Sequence, residues 1–387
     1  MNKLKLLVVF ASLDVGGAEV QFSKLLSRLD KGIFDIKVAY YDPRVGFPKE
    51  ILENAGIPVR FLGSPTWSKA RFLADAIRFM RKEQFDIVHC LQHSTNFYGW
   101  LPAMINRVPV IIGGLQGKIE LDSYWPKIYS MVSARCSGWI VNSEALQAHA
   151  EKSISFLGKN SFRIVPNGIE LEPDLAIQNK ETNDYQQLRN NRPVIGTVGR
   201  LQSVKNHLLF LQMARELVSS GVDADFWIIG KGPLQETLAQ QIVDYHLENH
   251  AHLLGFREDI PAALKSMDVF VLTSDSESCP NALLEAMRAA LPVVTTRCTR
   301  LEEIIHEGKN GFTVDVGDHL SLASQVARIL ADPAKALIMG QHSRQIVIER
   351  FSMDVAVQKL QQAYLSLATL ETHRSPGLAA TLAYLRN

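Results

Sequence analysis

Two glutamates with seven residues between them frame the segment Glu277-Ser278-Cys279-Pro280-Asn281-Ala282-Leu283-Leu284-Glu285. It follows an apolar run that ends near Thr273. Ser278 or Cys279 is expected to cap the next helix, with Pro280 in its first turn, where a missing N–H costs little. Glu277 then stands in the loop and Glu285 lies just past the first helical turn. The amides at a helix start suit a phosphate, and ionised carboxylates take strong hydrogen bonds from sugar hydroxyls. The plainer reading of the same spacing is two solvated glutamates beside a helix start.

A second cluster, Gly199-Arg200-Leu201-Gln202-Ser203-Val204-Lys205-Asn206, follows the apolar run Val194–Val198 and opens a helix. Arg200 as a fork and Lys205 as a point charge can both reach one diphosphate; two surface cations on a loop is the alternative. Three glycine turns are weaker signals. Gly230-Lys231-Gly232-Pro233 lacks the remainder of a GxGxxG or P-loop pattern. Gly16-Gly17-Ala18-Glu19 follows the first apolar run, where adjacent glycines let a backbone approach a ligand. Gly255-Phe256-Arg257 offers main chain to a nucleotide base, or is a simple turn.

Other polar residues are less promising. Asp223-Ala224-Asp225 has the spacing of a metal–diphosphate motif but precedes an apolar run, so no metal site is expected there. His89 is expected to pack at a strand end. His93 is expected in the following loop, as a base or a hydrogen-bond donor. Helix 69–82 carries Arg71, Asp75, Arg78 and Lys82 on one stripe and Leu73, Ile77 and Met80 on another. That pattern suits an anionic membrane surface or an ordinary domain helix.

The elements that must position these residues alternate. Apolar runs at 4–10, 35–40, 86–90, 109–112, 139–142 and 162–165 are predicted strands, as are 193–198, 225–229, 251–254, 268–272 and 292–295. Helical patterns fall at 18–29, 70–82, 206–219, 234–245, 281–290, 320–331 and 350–368, with 371–387 as a tail. Strand–helix alternation implies parallel sheets covered on both faces. The polar stretch 173–192 breaks the series, so two Rossmann-like α/β domains facing across a cleft are expected, with ligands beyond the carboxyl ends of the strands.

Composition sets the limits. The 387 residues, 47% hydrophobic and 21% charged, exclude disorder and a disulfide-built miniprotein. With 41 basic against 40 acidic side chains, nucleic acid is not an expected partner. Residues 1–172 hold 21 basic and 16 acidic side chains, whereas 173–387 hold 20 and 24. The four cysteines show no CxxC spacing and fit a reducing cytosol. The run Leu6–Leu13 is read as a buried strand in preference to a signal peptide, and no run reaches membrane-span length.

Taken in order over about residues 6–365, the pieces resemble one family. They are Gly16-Gly17-Ala-Glu, Ile140-Val-Asn-Ser143, Val165-Pro-Asn-Gly168, Val198-Gly-Arg200 with Lys205, Gly230-x-Gly-Pro, Gly255-Phe-Arg257 and Glu277-x7-Glu285. The set resembles the retaining glycosyltransferases of two-Rossmann (GT-B) architecture, the glycosyl transferases group 1, also called family 4. The resemblance implies residues 1–172 as an acceptor domain, joined by a last helix (about 352–387) that crosses back to it, and 173–351 as the donor domain. It implies a metal-independent, hexosyltransferase-type enzyme without a cofactor. The expected donor is a UDP- or GDP-sugar and the expected acceptor a saccharide or lipid-linked saccharide, in polysaccharide or lipopolysaccharide synthesis.

The resemblance also implies roles. Arg200 and Lys205 hold the donor diphosphate, Glu277 meets the donor sugar and Glu285 the ribose. Asn281 and neighbouring amides, that of Leu283 included, line the phosphate end. Gly230 belongs to the donor site, Phe256 and Arg257 lie at the base, and Gly16 and Gly17 close over the phosphates. His93 is the candidate acceptor-side base. Gln116 stands near where many members carry a histidine, which leaves a non-catalytic sugar-nucleotide-binding subunit as the competing reading. The expected location is cytoplasmic, with helix 69–82 touching the inner membrane face.

Overall fold

A computed structural model describes residues 3–63, 69–115, 135–153, 162–171, 185, 188, 189, 191–277, 279–298 and 301–386. The chain divides into two compact units, Met1–Gly168 with Met353–Asn387, and Ile169–Ser352.

Unit 1 is built on seven parallel strands: β1 (Leu4–Phe10), β2 (Phe34–Tyr40), β3 (Val59–Phe61), β4 (Ile87–Cys90), β5 (Val110–Gly114), β6 (Gly138–Val141) and β7 (Phe162–Ile164). Their order is β3-β2-β1-β4-β5-β6-β7. The helices are α1 (Gly17–Ser27), α2 (Phe47–Asn54), α3 (Lys69–Glu83), α4 (His93–Ile105) and α5 (Glu144–Ser153). The central strands are near-continuous apolar runs because both faces are covered. Phe22, Leu25 and Leu26 of α1 fill one face; Phe72, Ala76 and Phe79 of α3 with Trp100 and Ala103 of α4 fill the other.

Unit 2 repeats the plan with six strands: β8 (Val194–Val198), β9 (Asp225–Ile229), β10 (Ala251–Gly255), β11 (Val269–Leu272), β12 (Val293–Thr296) and β13 (Gly311–Val314). Their order is β10-β9-β8-β11-β12-β13, all parallel. Its helices are α6 (His207–Ser219), α7 (Gln235–Asp244), α8 (Ile260–Lys265), α9 (Asn281–Arg288), α10 (His319–Leu330) and α11 (Pro333–Ile346).

Two further helices, α12 (Met353–Leu370) and α13 (Pro376–Arg386), end the chain and belong to unit 1. Ala356, Leu360, Ala363, Tyr364 and Leu367 of α12 share one face and are buried in the unit 1 core. Burying a leucine or aromatic side chain contributes about 1.5–3 kcal/mol, so this face alone holds the helix in place. The Tyr364 hydroxyl meets His89 Nδ1 at 2.9 Å, and Arg163 Nε donates to Ser366 Oγ at 3.0 Å. Gly168 lies so close that a Cβ there would come 2.9 Å from Met353 Sδ.

Several local expectations change. Residues 376–386 form a helix where a tail was expected. Ser375 Oγ accepts the Leu378 N–H at 3.3 Å, Pro376 occupies the first turn, and Leu378 and Leu382 are buried. The apolar side of α3 is Phe72, Ala76, Phe79 and Met80; Leu73 and Ile77 are only half-buried. β3 and β13, and helices α2, α4, α5, α8 and α11, lie outside the runs named from the sequence.

Candidate active site

Each sheet reverses strand order once, between β1 and β4 in unit 1 and between β8 and β11 in unit 2. Loops leaving the carboxyl ends of the strands on either side of such a switch point diverge and leave room for a ligand. The candidate loops stand there. In unit 1 they are Gly16-Gly17 after β1 and Gln92-His93 after β4. In unit 2 they are Gly199–Lys205 after β8 and Thr273–Glu277 after β11.

In unit 2 the loops after β8, β9 and β10 are bonded side by side through main chain. Gly199 N–H donates to Ile229 O (2.9 Å), Leu201 N–H to Lys231 O (3.0 Å) and Leu234 N–H to Leu201 O (3.1 Å). Gly230 N–H donates to Gly255 O at 2.8 Å. Gly230 has φ +147°, and a Cβ there would fall 1.9 Å from Gly199 O; one at Gly232 would fall 2.4 Å from Leu201 O. These glycines let one loop pack on the next. Arg200 projects from the platform as an exposed side chain, and Phe256 beyond β10 is 61% exposed. Arg257 is drawn back: its Nε donates to Leu254 O at 3.1 Å and its guanidinium lies 5.8 Å from the Tyr185 ring.

Lys205 ends a short 3-10 turn, Ser203–Lys205, and crosses the switch point. Its Nζ lies 2.5 Å from Glu277 Oε1, which also accepts Ser274 Oγ–H at 2.7 Å. Both side chains are mostly buried, at 27% and 12% exposure, so each charge depends on the other. The backbone is braced around them. Thr273 Oγ1–H donates to Lys205 O (3.1 Å), Asp275 N–H to Val204 O (2.8 Å) and Thr296 Oγ1–H to Ser274 O (2.6 Å). Asn206, at φ +48°, caps α6 by accepting Leu209 N–H and ties Asp275 Oδ1 through its amide at 2.8 Å. Beneath them His207 is buried, and burial with the Lys205 charge pushes its imidazole down to about 4.

The Glu277–Glu285 segment departs from expectation at the cap. α9 starts at Asn281 behind Pro280, with no side-chain cap, and Cys279 is buried in the core. Ser278 lies outside the described residues. Helix geometry leaves first-turn amides without an intrahelical partner. Leu283 is fully buried, so only its main chain can face a ligand. Glu285, half-buried, stands one turn after Asn281.

In unit 1, Gly16 precedes α1 with extended backbone (φ −119°) and no side-chain cap. His93 is the first residue of α4, where a loop position was expected, because Gln92 builds a capping box with Thr95. Gln92 N–H donates to Thr95 Oγ1 (2.7 Å), and Gln92 Nε2–H donates to Glu19 Oε1 (2.6 Å). Asn96 clamps Gly114 through both amide atoms, at 2.9 and 3.2 Å. The Tyr41 hydroxyl, pushed up to about 12 mainly by burial, donates to Ser94 Oγ at 2.5 Å. Gln116 lies outside the described residues. His89 is sealed in the core, and burial pushes it down to about 3.

Asp223 and Asp225 sit at the opposite end of β9 from Gly230. There Arg192 Nε meets Asp223 Oδ1 at 2.7 Å, and Asp225 is buried. No group of three or more metal-ligating side chains is found among the described residues. The sequence points to no role for Gln92, Ser274 or Asp275, and to none of their own for Glu19 and Asn206, which stand in the Gly16–Glu19 and Gly199–Asn206 segments. Only Asn206, a strong cap type before an amphipathic run, left a usable signal.

Comparison with known proteins agrees with this geometry. Residues 15–173 match the Glycosyltransferase Family 4 model, and residues 192–332 match Glycosyl transferases group 1. A UDP-Gal:alpha-D-GlcNAc-diphosphoundecaprenol alpha-1,3-galactosyltransferase of Escherichia coli is 27% identical over 312 residues, 76% of this chain and 79% of the relative. Putative glycosyltransferase EpsF of Bacillus subtilis is 26% identical over 364 residues, 90% of this chain and 91% of the relative. The crystal structure of Anabaena HepE in complex with UDP superposes with TM-score 0.80 at 21% identity, covering 94% of this chain and 100% of HepE. Sucrose-phosphate synthase of Thermosynechococcus elongatus gives 0.76 at 16% identity, with coverage of 95% and 100%. These likenesses show the GT-B fold of two parallel-sheet α/β domains. The two family matches, which together span most of the chain in the order of its two sheets, place it in the glycosyl transferases group 1 family, and it is a glycosyltransferase.

Proposed function

We propose that the chain transfers a sugar, with retention of configuration, from a UDP-sugar to a saccharide or lipid-linked saccharide in polysaccharide or lipopolysaccharide assembly. The observation that carries the reading is the Lys205–Glu277 pair spanning the unit 2 switch point, with Arg200 exposed on the same loop as Lys205. UDP is favoured over GDP because the E. coli relative is named for UDP-Gal and HepE was crystallised with UDP.

The chemistry follows from where charge develops. As the glycosidic bond breaks, the sugar becomes oxocarbenium-like and the diphosphate takes up negative charge. Arg200 and Lys205 stabilise that charge, and the first-turn amides of α9, at Asn281 and Leu283, receive a phosphate oxygen. Diphosphate binding then competes with Glu277 for Lys205, which releases the Glu277 carboxylate toward the donor sugar. Glu285 takes the ribose hydroxyls, while exposed Phe256 and the main chain near Arg257 and Gly230 border the base. Unit 1 binds the acceptor, and the Gly16-Gly17 turn and His93 at the start of α4 stand at its switch point. The acceptor hydroxyl attacks the same face that the diphosphate leaves, and a phosphate oxygen takes its proton. The two cations supply the positive charge, so the reaction is metal-independent.

No helix among the described residues is long and apolar enough to cross a membrane. A lipid-linked acceptor would be reached at the cytoplasmic membrane face by electrostatic contact. Helix α3 exposes Arg71, Arg78, Arg81 and Lys82 while its apolar face is buried in the core.

The test is transfer from UDP-galactose to a GlcNAc-diphosphate lipid, with and without EDTA, with the product anomer read by NMR. The expected result is an α-linked product, EDTA-insensitive and lost in Glu277→Ala. Nucleotide binding with no transfer to any member of a broad acceptor panel would favour the non-catalytic reading.

A further inference from the structure

The Gln92 amide has a determined orientation. Its side-chain oxygen accepts the Thr95 backbone N–H in the capping box, so its NH2 group must point the other way. That NH2 donates to Glu19 Oε1 at 2.6 Å, which makes Glu19 an obligate acceptor at this contact. The capping box also fixes the Gln92 backbone, since Gln92 N–H and Gln92 O are both bonded to Thr95 Oγ1, at 2.7 and 2.8 Å. Glu19 is therefore held by a rigid partner.

The other carboxylate oxygen lies against the chain at Gly16. A Cβ built there would come 2.0 Å from Glu19 Oε2. The backbone at Gly16 is extended, with φ −119°, so its conformation does not call for glycine. The missing side chain makes room for the carboxylate. A carboxylate has about four acceptor positions, and the Gln92 amide fills one. Glu19 is half-buried, so the remaining positions reach the surface at the β1/β4 switch point. A preoriented, partly desolvated acceptor at this place suits a donating hydroxyl.

Resting on the transferase reading above, we propose that Glu19, aligned by Gln92, binds a hydroxyl of the sugar acceptor and so helps select the acceptor. A hydroxyl that donates to Glu19 is retained, and an acceptor lacking it leaves the carboxylate unpaired beside Gln92. The penalty falls on a half-buried carboxylate that keeps its Gln92 bond, so the discrimination expected is about tenfold.

The test compares wild type with Glu19→Gln, using methyl α-N-acetylglucosaminide as probe, by saturation-transfer NMR titration with UDP present. The variant keeps the Gln92 contact through its amide oxygen and places a donor where Glu19 Oε2 stood. The expected result is at least a tenfold weaker sugar affinity, with UDP affinity within twofold of wild type. Gln92→Met should weaken sugar binding in the same direction while leaving UDP binding unchanged. Equal sugar binding in wild type and Glu19→Gln, sugar binding in neither while UDP binds, or parallel loss of sugar and UDP binding overturns the proposal. Failure of wild type to bind UDP or any other nucleoside diphosphate would instead count against the transferase reading itself.

Discussion

The two switch points differ in what holds them. In unit 2 the loops after β8, β9 and β10 are joined by main-chain hydrogen bonds, and main chain also crosses the switch point, Asp275 N–H to Val204 O, beside the side-chain bridges Lys205–Glu277 and Asn206–Asp275. In unit 1 the loop after β1 is also joined by main chain to the loop after β2, through Leu13 N–H to Arg44 O (3.2 Å) and Gly46 N–H to Leu13 O (2.8 Å), but the glycine turn is tied to the start of α4 through the side chains of Glu19 and Gln92. Main chain offers the same donors and acceptors whatever the residue, whereas a side-chain contact changes with the residue. A charged diphosphate common to many donors suits a fixed site. Acceptors differ among relatives, and a site made of side chains, which substitution alters while the backbone stays in place, suits them.

The largest expected effect breaks the chemistry and spares the scaffold. Arg200→Ala should lower transfer by about 10²–10³-fold, the usual cost of removing one group that stabilises developing charge. Because Arg200 is exposed, its melting temperature should stay within a few degrees of wild type. A rate within threefold of wild type would remove Arg200 from the site.

The next contrast tests main chain against side chain directly. Gly230→Ala forces a Cβ onto a carbonyl oxygen at a φ reserved for glycine and should cost about 3 kcal/mol. Gly16→Ala meets only the Glu19 side chain, displaces its carboxylate from Gln92, and should cost about 1 kcal/mol. Denaturant unfolding of both variants checks the ranking, and equal costs would erase the distinction drawn between the loops.

Acid should weaken both units for the same reason. His89 in unit 1 and His207 in unit 2 are held neutral by burial, at about 3 and about 4, whereas an unfolded histidine titrates near its ordinary value of 6.5. Below 6.5 the unfolded chain therefore binds more protons, and stability falls as pH drops toward the folded values. The loss approaches about 1.4 kcal/mol per pH unit for each group. Unfolding measured between pH 6 and 5 should show this slope, reduced by one group's share in His89→Phe.

The smallest effect concerns Asn206, whose left-handed backbone caps α6. Asn206→Ala should cost about 1 kcal/mol and Asn206→Gly only a few tenths, since glycine accepts that conformation. The same pair of variants measured for nucleotide affinity would show how far the cap sets the position of Lys205.

Much of this arrangement was readable in the sequence. Apolar runs of strand length alternating with helical patterns revealed both sheets, because parallel strands covered on both faces carry no polar alternation to obscure them. The glycine turns and the Glu277–Glu285 spacing pointed to the strand ends that meet at the switch points. What escaped depended on partners distant in sequence. His93 read as a loop residue because glutamine is a weak capping signal, and its box with Thr95 is visible only in three dimensions. The apolar run that marks β5 stops at Ile112, before Gly113 and Gly114. In the fold they are strand, their missing side chains making room for Trp100, Trp139 and the Cys90 carbonyl. The Ser375-Pro376-Gly377 sequence read as the punctuation of a tail, yet it starts a helix with two leucines in the core.

The central claim is that the unit 2 platform holds a nucleoside diphosphate through Arg200 and Lys205. Thermal unfolding of wild type and Arg200→Ala with UDP-, GDP-, ADP- and CDP-sugars tests it most directly, since a ligand that binds only the folded state raises its stability. The account predicts a rise with the UDP-sugar that is lost in Arg200→Ala. No rise with any donor, or a rise that Arg200→Ala leaves intact, would contradict it.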